Sequence, residues 1–177
     1  MTPLIAFLRK TNDRVAIGVG LALLACVVFT LVEIVSRRLG ASLGGVDEIS
    51  GYVMAVTTSW GVSYALTERA HVRIDLLRQR LVSAGRALLD AVAMLCLAAT
   101  AVVVAWRGWS VVAKTLSTGA RANTPLETPL WIPQLLWWAG WLWFAVTACL
   151  MMAFVLMKLV QADFDAVEDA AGARGEA

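Results

Sequence analysis

The sequence predicts an all-α integral membrane protein: four transmembrane helices, both termini cytoplasmic, and a short amphipathic cytoplasmic helix between the second and third spans. Three observations predict it. Of 177 residues, 60% are hydrophobic and only 16% charged, with a mean hydropathy of +0.74; an ordinary soluble domain runs at ~45–50% apolar and ~25% charged. The apolar residues gather in four long blocks separated by short charged stretches. Lys and Arg then divide unevenly between the two sides that four spans would create. The composition excludes a soluble globular enzyme, a disordered chain and a disulfide scaffold. A net charge of +2 without a dense basic tract gives no ground for nucleic acid as a partner.

The first span is expected over about 15–35, between Arg9, Lys10 and Arg14 on one side and Arg37 and Arg38 on the other. At about 1.5 Å per residue it covers the hydrocarbon core. Leu23-Leu24-Ala25-Cys26 faintly resembles a lipoprotein cleavage site, but the apolar run continues past Cys26, so retention as a span is expected. The second span, about 49–67, is milder. Its Ser50, Thr57, Thr58, Ser59 and Ser63, with Gly51 and Gly61, suit close helix approach and hydrogen bonding across a contact. The third is expected over about 87–106, and the fourth, over about 131–157, exceeds the minimum length and should tilt or begin among the headgroups.

Orientation follows from the basic residues. Arg9, Lys10, Arg14, Arg69, Arg73, Arg78, Arg80, Arg86, Lys158 and Arg174 fall on one side; Arg37, Arg38, Arg107, Lys114 and Arg121 fall on the other. The richer side is expected to be cytoplasmic. Between Glu68 and Arg86, Ile74, Leu77, Leu81, Ala84 and Leu88 recur at helical spacing, which fits an interfacial amphipathic helix or an early start of the third helix. The stretch 108–130 reads as an outer loop, with Pro125 and Pro129 in it and Pro133 in the first turn of the next helix. The membrane domain is expected over 1–162, and 163–177 as an acidic tail without structure.

Five tryptophans open the fourth span: Trp131, Trp137, Trp138, Trp141 and Trp143. Trp137, Trp141 and Phe144 share a face by their spacing. That face serves either as a lipid-facing belt or as an aromatic surface for a partner membrane protein.

Few polar groups offer chemistry. Cys26, Cys96 and Cys149 lie inside apolar blocks without metal-ligand spacing. His71 is the one histidine, too few for a bis-histidine haem bundle. No cofactor or metal is expected, nor enzymatic activity. Charged side chains inside spans are functional candidates by default. Glu33 stands one turn before Arg37, and Arg86 one turn before Asp90, so each carboxylate has a same-face ion pair available. Glu33 also motivates an alternative, a self-sufficient four-helix proton-coupled exporter. Asp47 and Glu48 meet the positive end of the second helix dipole. Glu68, His71 and Asp75 form a charged knot at the turn after that helix.

At this knot a resemblance emerges. Trp60-Gly61-Val62-Ser63-Tyr64-Ala65-Leu66, then Glu68 and His71-Val72-Arg73-Ile74-Asp75-Leu76-Leu77, resembles the small membrane subunit of TRAP (tripartite ATP-independent periplasmic) transporters, the DctQ-like family. Arg37 after the first span, Asp47-Glu48 before the second, and Pro125-Leu126-Glu127-Thr128-Pro129-Leu130-Trp131-Ile132-Pro133 before the last agree with it. Arg38 stands where an aromatic often follows, and Val46 where a tryptophan is common. The resemblance covers roughly 15–155. It implies a scaffold subunit of a bacterial inner membrane system driven by a sodium gradient. Its partners would be a large membrane subunit, which carries the transport path, and a periplasmic binding protein, which captures a carboxylate-bearing solute. The residues themselves agree on one point: the chain lacks the paired broken spans that mark a transporter core.

Overall fold

The computed structural model describes residues 3–41, 44–70 and 81–172. They form five helices: α1 (Pro3–Arg38), α2 (Val46–Thr67), α3 (Ser83–Thr118), α4 (Trp131–Val160) and α5 (Phe164–Ala171). Of these, α1, α3 and α4 are both long and apolar enough to cross a membrane. The 22-residue α2 has sufficient length, but its serines and threonines dilute its hydropathy.

The helices outrun the hydrophobic blocks. With 36 residues each, α1 and α3 reach about 54 Å, well beyond the ~30 Å of hydrocarbon. Pro3 fills the first position of α1, where a missing N–H costs nothing, and no proline follows within the helix. The stretch read as a loop from 108 continues α3 as far as Gly119, whose φ of 60° supplies the left-handed stop. The loop between α3 and α4 is therefore 119–130. Hydropathy marks where lipid lies; a helix ends at its first breaker. The tail is corrected too: Asp163 caps α5, its carboxylate accepting from the Ala166 N–H at 3.3 Å, and Val167, Ala170 and Ala171 are buried. Apolar side chains on one side of a single short helix suffice once α3 and α4 supply the other wall. As for the amphipathic helix between α2 and α3, residues 71–80 lie outside the described residues, and α3 itself starts at Ser83.

The order of packing is a row: α1 against α2, α2 against α4, α4 against α3, with α5 under the α3–α4 end. The core follows the α3–α4 seam. Ala87, Ala91, Met94, Ala98, Ala101, Ala105, Gly108, Val112 and Thr115 are all buried on α3. Their spacing alternates four and three, the 3.5-residue repeat of left-handed helix pairs. Small side chains let the backbones close, and Phe144, Ala148, Met151 and Val155 of α4 fill the seam. Close approach recurs between α2 and α4. A Cβ on Gly140 would lie 2.8 Å from the Trp60 ring and 2.9 Å from the Ser59 carbonyl carbon.

The expected hydroxyl bonding across this contact is corrected. Ser59, Ser63 and Thr67 are buried on one face of α2, yet their hydroxyls donate to their own helix, to the carbonyls of Val56 (2.9 Å), Trp60 (2.8 Å) and Tyr64 (3.0 Å). Among the described residues, tryptophan supplies most of the hydrogen bonds between the long helices instead. The indole N–H of Trp60 donates to the Leu136 carbonyl at 3.0 Å, that of Trp138 to the Ala105 carbonyl at 2.8 Å, and that of Trp143 to Asn12 at 2.8 Å. Thus α4 is tied to each of the other long helices. Bonds of this kind are worth about 0.6 kcal/mol each inside a membrane, so packing carries most of the association.

Candidate functional site

Three regions hold the residues singled out by sequence: a clamp at the α3–α4 loop, a charged cluster at the opposite end of the helices, and the helix flanks between them.

At the clamp, Gly45 starts α2 with a φ of 72°. Asp47 and Glu48 occupy the first helical turn, where the dipole favours them. Asp47 is exposed. Glu48 reaches the 119–130 loop: its carboxylate accepts a very short hydrogen bond from the Thr124 hydroxyl and a second, at 2.8 Å, from the Tyr52 hydroxyl. The Thr124 bond, with Thr128 and Tyr52 assisting against partial desolvation, holds the Glu48 carboxyl below its ordinary range. The loop is a small hairpin. Arg121 and Pro129 pair antiparallel, and the Ala122 N–H donates to the Thr128 carbonyl at 3.0 Å. Its tip residue Leu126 packs on Gly45, where any Cβ would collide. The motif 125–133 and the acidic pair thus meet in space. Sequence reading missed Tyr52 and Thr124 as partners of Glu48; the i, i+4 spacing of Glu48 and Tyr52 was the available signal.

Nearby, Arg37 Nη2 lies 3.2 Å from Glu33 Oε1, with Glu33 buried and Arg37 exposed, the geometry expected of a snorkelling pair. Asp90 is buried. Arg86, expected beside it, extends to Glu168 of α5 at 3.8 Å.

In the charged cluster at the opposite end, Glu68 pairs with Arg9 of α1 at 3.1 Å. Arg9 also donates to the Thr67 carbonyl at 3.4 Å. Lys158 and Asp163 lie 2.8 Å apart. His71 and Asp75 lie outside the described residues. Among those described, no three His, Cys, Asp or Glu side chains are grouped as a metal site requires.

The aromatic face is corrected. Phe144 is buried at 4% exposure, edge-on to Trp141 with ring centroids 6.0 Å apart, so it belongs to the core. Trp141 is half-buried against that core. Trp137 is half-buried beside Gly108, and Trp60 is bonded to α4. A shared face on α4 turned toward α3, whose small side chains leave room for rings. The exposed tryptophans among the described residues are Trp106, at 72%, with Trp109 and Trp131. The broad bare surface is on α1. Only Leu8, Asn12, Cys26 and Glu33 are buried along its whole length, while Ile17, Leu21, Leu24, Val28 and Leu31 are each more than half exposed.

Residues 24–165 match the family model described as "Tripartite ATP-independent periplasmic transporters, DctQ component". No curated protein and no solved structure matches the chain. The match spans α2, α3 and α4 in full and most of the apolar part of α1, far more than half of the sequence. The chain therefore belongs to the DctQ family and is a small membrane component of a TRAP transporter.

Proposed function

We propose that the chain is a scaffold subunit, which binds the large membrane subunit through the bare flank of α1 and presents its outer-loop clamp toward a periplasmic solute-binding protein. In this reading α2 is the fourth span, both termini are cytoplasmic, and the system sits in a bacterial inner membrane. Transport is driven by a sodium gradient, with a carboxylate as solute; both belong to the large subunit and the binding protein. The observation that carries the proposal is the row of helices. Among the described residues the row has no closed centre for a solute path of its own, and it leaves α1 packed mainly along α2, tied to α4 at Asn12, with an apolar face still to be covered. The ion pair of Glu33 with Arg37, at a helix end, supports a structural role for that carboxylate over a proton-coupling one. Reconstitution tests the proposal. Vesicles with this chain alone should move no carboxylate, and vesicles with all three components should take it up under a sodium gradient. Uptake by the chain alone would overturn it.

A further inference from the structure

At the end of the row that carries α5, a cleft of about 590 Å³ opens between α1, the close of α2, α4 and α5. Its floor is apolar, with Ile5, Phe154 and Ala170. Its charged lining is Arg9, Arg69, Lys158 and Asp169. Two of the three cations are already engaged, Arg9 with Glu68 and Lys158 with Asp163. Arg69 is different. It makes no ion pair among the described residues, and its Nε, like that of Arg9, is buried without a hydrogen-bond acceptor, so it has neither kind of partner. It also stands at φ 56°, a left-handed backbone that residues other than glycine seldom adopt, closing α2. A buried guanidinium nitrogen without an acceptor is costly. The group that best fills a guanidinium fork is a planar or tetrahedral oxyanion.

We propose that this cleft binds the phosphodiester headgroup of an anionic phospholipid, with Arg69 as its anchor. The apolar floor receives the glycerol and the first acyl carbons. Arg9 and Lys158 add field from the rim, reduced by their own acidic partners, so Arg69 carries the selectivity. Basic pockets at the ends of membrane helices select anionic headgroups in this way. Assignment to the cytoplasmic leaflet rests on the topology proposed above; the binding does not.

Native mass spectrometry of the purified full chain tests it, with phosphatidylglycerol, phosphatidylcholine and inorganic phosphate as probes. Phosphatidylglycerol should be retained about fivefold more than phosphatidylcholine, the worth of one basic side chain toward an anionic lipid. Arg69→Gln should remove that preference, while Arg121→Gln, at the opposite end, should leave it. Equal retention of the two lipids by the unaltered chain would overturn the proposal, whatever the variants do. So would a preference that survives Arg69→Gln, or displacement of the lipid by millimolar inorganic phosphate. A C-terminal reporter placed outside the cell would overturn the leaflet alone, leaving the lipid preference as its own result.

Discussion

The Trp143 indole donates to the Asn12 side-chain oxygen across 131 residues of sequence, at 2.8 Å, and Asn12 is completely buried. It is a direct polar tie between α4 and α1, and it pairs a side-chain oxygen that burial would otherwise leave without a partner. Trp143→Phe should destabilise the helix row by about 0.6–1.7 kcal/mol. Adding Asn12→Leu should then cost less than it does in the unaltered chain, because the carbonyl left unpaired is removed with it. Reversible unfolding in mixed detergent measures both. Strictly additive losses would show that the bond contributes nothing.

Gly140 sets the separation of α2 and α4. Gly140→Ala should cost about 1–3 kcal/mol by overpacking, since the new methyl meets the Ser59 backbone. Gly20→Ala is the control: a Cβ there meets nothing within 4 Å. Thermal unfolding of the two variants side by side should separate them clearly, with Gly20→Ala at or above the parent.

The clamp has a pH dependence of defined sign. The Glu48 carboxyl is lowered in the folded chain. Its contribution is therefore fully present above the unfolded value of about 4.3 and is lost only as pH falls through the lowered folded value. Cleavage of the 119–130 loop by an acid-tolerant protease should stay slow down to that range and rise below it. Glu48→Gln should quicken cleavage at neutral pH, because a neutral amide is a weaker acceptor for Thr124 and Tyr52. An unchanged rate in the variant would detach Glu48 from the loop.

Glu33 separates a structural carboxylate from a coupling one. Glu33→Gln should leave sodium-driven uptake by the assembled system within about twofold of the parent, a shift below half a kcal/mol. Abolished uptake with the complex intact would return Glu33 to the transport step.

Much of this architecture was legible. Long apolar runs announced α1, α3 and α4, and Glu33 with Arg37 was readable from an i, i+4 spacing on one helix. What escaped depends on neighbours distant in sequence. Hydropathy could not extend α3 to Thr118, although Gly119 was in view as a stop. The four-three alternation from Ala87 to Thr115 was present in the chain, but alanine is too common in apolar helices for it to stand out. The tryptophans near the start of α4 gave their depth and not their acceptors, because the Ala105 carbonyl and Asn12 come from other helices. The aromatic triad was assigned outward because periodicity defines a face without saying which way it turns; Phe144 turned in.

Association through α1 is the central claim, and copurification measures it most directly. The chain, coexpressed with the large membrane subunit and extracted in mild detergent, should elute as a one-to-one complex. Leu24→Asn with Leu31→Asn, on the bare flank of α1, should free it while leaving its own fold intact. A parent chain that elutes alone under the same conditions would contradict the account, as would a double variant that stays bound.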